Sequence, residues 1–280
     1  MEVEMGRDGM TADPQRHRIE LNGAPATAED LRHLVQTNYG HFSAMQFREG
    51  GVRGLDLHLD RIEAATRELF GMPIARERVR GCLRHAIDGS EAPLALRVNV
   101  FSRALNRDQP AAPVEADVLV TAMPAAGASS SALRVKSFPY TRTLPHVKHV
   151  GTFPLFHFRR LAQQDGFDDA VFVDAAGRVE EGSIWNIGFF DGEGIVWSDA
   201  PQLTGVSMQL LQSGLARAGV TSTVRSIPLR DIGRFRSAFF TNSSTPVRLI
   251  ARIDDVEFAV DHELEARLVA AYETNVPQFV

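Results

Sequence analysis

The strongest constraint on the fold lies in the second half of the chain, where short apolar runs alternate with turn signals. Ala170–Val173 and Arg178–Glu181 flank Asp174-Ala175-Ala176-Gly177, and Ile184–Phe190 and Ile195–Trp197 flank Asp191-Gly192-Glu193-Gly194. Runs of this length, rich in Val, Ile and Phe and bounded by Asp and Gly, read as strands joined by hairpins. Ala238–Phe240 and Val247–Arg252 repeat the pattern around Asn242-Ser243-Ser244-Thr245, and Leu133–Phe138 is also extended. Helical segments intervene at Pro154–Gln164, Val206–Ala218 and His262–Tyr272. The first is expected to start at a Thr152 cap with Pro154 in its first turn and to stop at Gly166. This half therefore reads as a β-rich domain with peripheral helices.

The first half mixes the two periodicities. Ala28–Gln36 reads as a short helix, and Phe42–Arg48 with Val52–Leu55 forms a hairpin about Gly50-Gly51. Apolar residues at Leu55, Leu59, Ile62 and Leu69 follow helical spacing through Asp56–Phe70, with Gly71 and Pro73 as the stop. A second helix covers Ala75–Ile87, and strands follow at Leu94–Phe101 and Ala116–Ala122. Met123–Ser131 is small and polar with Pro and Gly, as a linker would be. The expected organisation is α+β: a tail over residues 1–18, a small α+β domain over 19–122, a linker over 123–131 and a larger domain over 132–280.

Composition narrows the function classes. The chain has 280 residues, 44% of them hydrophobic, and a net charge of −5 with the two signs interspersed. No basic face offers itself to nucleic acid, so small-molecule partners are expected. No apolar run reaches the roughly 18 residues a membrane span requires. The polar stretch Met1–Arg18 lacks the apolar core of a signal peptide, and the single cysteine, Cys82, fits a reducing compartment. A cytoplasmic protein is expected.

Within this framework, Lys148 and Glu181 stand out. Lys148 lies just before a helix and Glu181 at the end of a strand, so both sit on ordered elements. A lysine amine and a carboxylate so placed can hold an aldehyde as a Schiff base and serve the ring nitrogen of a pyridine cofactor. Val147-Lys148-His149-Val150-Gly151, then Gly166-Phe167-Asp168-Asp169-Ala170, then Gly177-Arg178-Val179-Glu180-Glu181-Gly182-Ser183-Ile184-Trp185-Asn186 resemble, in order and spacing, the signature of the fold-type IV pyridoxal-phosphate enzymes. These are the class IV aminotransferases, a family that includes branched-chain and D-amino-acid aminotransferases and aminodeoxychorismate lyase.

The resemblance implies a two-domain fold with pyridoxal 5′-phosphate in the cleft between the domains, and a homodimer. It makes Lys148 the catalytic, cofactor-bearing lysine and Glu181 the partner of the ring nitrogen. Arg61, in His58-Leu59-Asp60-Arg61-Ile62, becomes the phosphate arginine; a guanidinium fork suits that dianion. Gly205-Val206-Ser207 opens a helix whose N-terminus also suits phosphate. Ser243 in Thr241-Asn242-Ser243-Ser244 joins the phosphate site, with Ser244 and Arg107 near substrate. No metal is expected.

The chain departs from the family pattern at Phe153 (often Tyr), Trp185 (usually small) and Met208 (often Arg), changes expected to reshape the substrate pocket. The implied activity is transfer of an amino group between an amino acid or amine and a keto acid. A lyase of the aminodeoxychorismate type uses the same lysine and is the alternative. A non-catalytic protein on this fold would be marked by loss of the lysine, and Lys148 is present.

Overall fold

The computed structural model describes residues 17–90, 93–127 and 131–280. The expected tail thus lies, but for its last two residues, outside the described residues, as do three positions of the expected linker.

The first sheet is assembled from the N-terminal part of the chain. β1 (Arg18–Leu21) and β2 (Ala24–Pro25) precede helix α1 (Ala28–Thr37). β3 (His41–Arg48) turns into β4 (Gly51–Arg53), and helices α2 (Leu55–Phe70) and α3 (Arg76–Ile87) follow. β5 (Leu94–Phe101) and β6 (Asp117–Pro124) complete this part, so the strand runs two residues into the expected linker. The apolar stripe of α2, Leu55, Leu59, Ile62 and Leu69, is buried against Met45, Val52, Leu96, Val98 and Val120 of the sheet. Each such side chain contributes about 1.5–3 kcal/mol when taken fully out of water. The stripe fixes which face of α2 turns away from the core, and Arg61 lies beyond it.

The second sheet starts at β7 (Leu133–Pro139), followed by helix α4 (Phe153–Gln164), β8 (Asp169–Val173) and β9 (Val179–Gly182). β10 (Asn186–Phe190), β11 (Ile195–Ser198), helix α5 (Val206–Arg217) and β12 (Ser222–Arg225) come next. β13 (Ser237–Thr241), β14 (Arg248–Ile253), β15 (Val256–Glu257), helix α6 (His262–Glu273) and β16 (Pro277–Gln278) end the chain.

The strand order is β12-β11-β10-β13-β14-β7-β8-β9, with β15 beside β14, and β7 runs parallel to both β14 and β8. Every residue of β8 is buried. Its Ala170 and Phe172 pack on Leu155 and Ala162 of α4, while Val171 belongs to the core on the other side. A strand covered on both faces reads as a continuous apolar run rather than an alternation.

The last strand does not stay with the second sheet. β16 pairs antiparallel with β4, giving the first sheet the order β16-β4-β3-β5-β6-β1-β2. The first sheet is also tied to the segment between β7 and α4, where His41 and His149 form an isolated antiparallel bridge. The Phe42 N–H donates to the Lys148 carbonyl at 2.9 Å, and the Val150 N–H to the Gly40 carbonyl at 3.0 Å.

Two local expectations are corrected. Thr152 holds the cap position of α4 but its side chain makes no cap bond, because its backbone (φ −93°, ψ 2°) is not in the extended form that capping uses. Ile184 and Trp185 are not strand residues. The Gly182 N–H donates to the Trp185 carbonyl at 2.8 Å, closing a tight turn, and the strand starts at Asn186.

Candidate active site

The chain has two lysines. Lys136 on β7 is held by Asp165 at 2.5 Å, and Lys148 lines a cleft between the two sheets. The backbone bonds to β3 fix the Lys148 Cα, and its Nζ lies 4.9 Å from the centre of the Phe42 ring. The same ring carries the Arg97 guanidinium at 3.6 Å. Burial, with Arg61 and Arg142 nearby, brings the Lys148 ammonium down to about 7, against the opposing pull of Glu181. The amine is therefore a usable nucleophile and base near neutral pH.

Glu181 faces the same cleft from the end of β9 and is 4% exposed. One carboxylate oxygen accepts the Leu203 N–H at 3.3 Å, and the other lies 3.4 Å from a terminal nitrogen of Arg142. Burial pushes this carboxyl up from its ordinary value, while Arg142, Lys148 and the Leu203 N–H oppose the shift. Glu180, its neighbour, turns to Thr141 instead, whose hydroxyl donates to it at 2.6 Å.

The other end of the cleft is built from positive groups. Arg61 projects from α2, donates to the Ser43 hydroxyl at 2.5 Å and touches the His58 Nδ1 at 3.4 Å. Burial and Arg142 lower it to about 10, so it remains a cation at neutral pH. Burial, then Arg61 and Lys148, hold His58 well below its ordinary value, which keeps the imidazole neutral. Among the described residues no carboxylate lies within ion-pair distance of Arg61.

α5 opens on the same space, with Gly205, Val206 and Ser207 in the wall and no side-chain cap or acid in its first turn. Its first-turn N–H groups thus have no side-chain cap to satisfy them. A Cβ at Gly205 would lie 2.1 Å from the Asn186 Oδ1, so only glycine lets the turn approach β10. Ser243 and Thr241 complete this end.

The buried Arg61 Nε, Arg142 Nε and Thr241 Oγ1 lack hydrogen-bond partners, and all three residues line this cleft. Buried polar atoms are ordinarily paired, so orphans gathered in one cleft mark the seat of a ligand rich in acceptors. The uncompensated Arg61 beside a bare helix N-terminus asks for an anion. A reactive amine, a buried carboxylate and an anion seat are the three groups a pyridoxal-phosphate site requires, and the residues present fit it.

Lys148, Glu181, Arg61, Val206, Ser207 and Ser243 are thus brought together; Arg107 and Ser244 are not. Arg107 is exposed on the loop after β5, away from the cleft wall. Ser244 borders an adjoining cavity, and its hydroxyl is spent on the Asn242 Oδ1 at 2.9 Å.

Two of the three departures, Phe153 and Met208, lie outside the cleft wall, and Trp185 lies in it. Phe153 is 77% exposed and stacks on His157. Met208 is in the core between α5 and α6. The Trp185 ring packs under Gly182, where an added Cβ would meet it at 2.0 Å, and its Nε1 donates to the buried Asp169 at 3.0 Å. Sequence reasoning missed Arg142, Arg97 and Phe42. Arg97 was visible as a charge within an apolar strand, whereas Arg142 sits in a polar loop with no pattern to single it out.

The class IV amino-transferase family model matches residues 40–253, and the chain belongs to that family. It is an enzyme of the pyridoxal-phosphate-dependent class IV aminotransferases. No curated protein is significantly similar in sequence.

Among solved structures, the chain is similar to a branched-chain aminotransferase from Thermoproteus uzoniensis with norvaline (17% identity, TM-score 0.79, 91% of this chain and 93% of that one). It is similar to a T.th. branched-chain amino acid aminotransferase with pyridoxamine 5′-phosphate (19%, TM-score 0.78, 93% and 95%). A Legionella pneumophila protein provisionally assigned as a 4-amino-4-deoxychorismate lyase is also similar (17%, TM-score 0.76, 87% and 93%). At these identities the likeness carries the fold, which is the α+β fold of class IV aminotransferases.

Proposed function

We propose that the protein is an aminotransferase that moves an amino group between an amino acid or amine and a keto acid, with Lys148 as its catalytic residue. The observation that carries this is the convergence of Lys148, Glu181 and Arg61 from separate elements on one cleft. Pyridoxal 5′-phosphate, when bound, supplies the aldehyde that takes up the amino group and the ring that accepts electron density from the substrate α-carbon.

The chain's own residues divide the remaining work. Arg61, the N–H groups of Val206 and Ser207 and the Ser243 hydroxyl hold the phosphate. Glu181 accepts a hydrogen bond from the protonated ring nitrogen. The Lys148 Nζ would take the proton from the substrate α-carbon, as a base brought down to about 7 by burial and its cationic neighbours.

We also read the two sheets as a small domain and a larger one, joined near residues 123–131. The assembly is a homodimer, supported by Phe153 and Phe156 of α4, which stand 77% and 52% exposed on a helix bordering the cleft. A cytoplasmic setting fits the free Cys82.

The test is an assay of purified protein with pyruvate or 2-oxoglutarate against L-amino acids, D-amino acids and amines. Amino transfer to the keto acid supports the reading; cofactor-loaded protein that transfers from none of the donors overturns it. The likeness to the Legionella protein favours one second reading, a lyase. Pyruvate released from aminodeoxychorismate without a keto-acid acceptor would establish it.

A further inference from the structure

The cleft contains a buried guanidinium that the proposed chemistry does not use. Arg142 stands in the loop between β7 and Lys148, only 6% exposed. One terminal nitrogen lies 3.4 Å from the Glu181 carboxylate, and the other donates to the carbonyl of Val147 at 3.1 Å. The arginine therefore spans the carboxylate on β9 and the residue next to Lys148. Its Nε has no hydrogen-bond partner among the described residues.

A buried carboxylate remains ionised only if a cation or several donors offset its lost hydration. Around Glu181 these are the Leu203 N–H, Lys148 and Arg142. The nearby acid Glu180 and the Tyr140 phenol supply no positive charge. Lys148 is an unreliable source because its amine is neutral over much of the physiological range and is consumed when it bonds an aldehyde. Arg142 supplies the set's guanidinium, whose charge is not consumed by bonding an aldehyde.

We propose that Arg142 is a positioning residue that keeps Glu181 an anion throughout turnover and, through the Val147 carbonyl, sets the loop bearing Lys148 in register with it. This deepens the proposed function and rests on Glu181 serving the ring nitrogen. Arg142 itself takes no proton. Its charge decides whether the carboxylate arrives as an acceptor for the ring N–H or as a neutral acid.

The test uses the full chain loaded with pyridoxal 5′-phosphate, in wild type, Arg142→Met, Arg142→Lys and the double variant Arg142→Met/Glu181→Gln. The measurements are cofactor affinity, the pH dependence of the visible absorbance and the single-turnover rate of α-deprotonation. Arg142→Met is expected to slow deprotonation by about tenfold or more and to displace the absorbance titration, while substrate KM changes little. Arg142→Lys, which returns the charge, is expected to recover most of that rate. In the Glu181→Gln background the Met substitution is expected to cost less than about threefold more, because a neutral amide needs no cation.

Wild-type rate and titration in Arg142→Met would overturn the proposal, as would Arg142→Lys being as impaired as Arg142→Met. Should Arg142→Met fail to fold, recovery of the fold in the double variant supports the proposal, and a double variant equally unfolded overturns it. A wild type that takes up no cofactor would bring down the functional reading itself, and the proposal with it.

Discussion

The two ends of the cleft solve opposite electrostatic problems. At the α2 and α5 end, positive groups are left uncompensated: Arg61 has no carboxylate partner among the described residues, and the first turn of α5 carries no acid. At the β9 end the charges answer one another, Glu181 lying against Arg142 and sharing a cleft with Lys148. On the proposed reading the first end awaits an anion from outside, whereas at the second the protein itself places cations beside its carboxylate. The open end should therefore govern affinity for the cofactor, and the closed end the rate of chemistry.

Lys148→Ala gives the largest effect at the closed end. Turnover is expected to vanish while the melting temperature holds, because Lys136, the other lysine, is paired with Asp165 outside the cleft. Borohydride reduction and peptide mapping of wild type check this; a pyridoxyl label on Lys136 would refute it.

Arg61→Ala probes the open end. A charge-assisted bond to phosphate is worth about 1.5–3 kcal/mol, so cofactor affinity should fall roughly ten- to a hundredfold. The cofactor-saturated rate should change far less. A variant that binds the cofactor as tightly as wild type but turns over slowly would reverse the division of labour between the ends.

The ends also communicate through charge. Burial and then the Arg61 cation hold the Lys148 ammonium near 7 instead of its ordinary 10.5. The amine attacks only when neutral, so capture of pyridoxal 5′-phosphate by the apo-protein should rise as pH increases through about 7 and level off above it. An unshifted lysine would still be climbing past about pH 9. In Arg61→Ala the inflection should move upward, since one of the charges that disfavour the ammonium is gone. Stopped-flow absorbance across roughly pH 6 to 9 reads both curves, and coincident inflections would remove Arg61 from the list of causes.

How much of this was legible before the structure depended on whether a residue announced itself by local pattern. The helices and long strands were readable because α2 repeats its apolar positions at helical spacing and β8 is a continuous apolar run. The two-residue strands β2, β15 and β16 were not, because they exist only through pairing; β16 meets β4 from the far end of the chain. Lys148, Glu181 and Arg61 sit in motifs with fixed spacing. Arg142 does not, since its importance is created by a contact with β9 that no local pattern records. Met208 was misread for the same reason: which way a side chain faces follows from the packing of α5 on α6.

The smallest expected effect separates two adjacent hydroxyls at the open end. The resemblance puts Ser243 at the phosphate and Ser244 near the substrate, and the loop after β13 gives the two hydroxyls different partners. The Asn242 Oδ1 accepts from the Ser244 N–H at 3.0 Å, the Ser244 hydroxyl at 2.9 Å and the Thr245 N–H at 2.8 Å, a local turn that consumes the Ser244 side chain. Ser243 is left in the wall of the cleft, where its hydroxyl can donate to phosphate. A single hydrogen bond of this kind contributes about 0.5–1.5 kcal/mol, so Ser243→Ala should weaken cofactor binding roughly two- to tenfold. Ser244→Ala removes an exposed bond to Asn242 whose turn retains two backbone donors, and binding should stay within about twofold of wild type. Titration of the apo-variants with pyridoxal 5′-phosphate distinguishes them. If Ser244→Ala proves the more damaging, the phosphate is held by the adjoining cavity side of the loop, and the open end of the cleft has been drawn one residue too short.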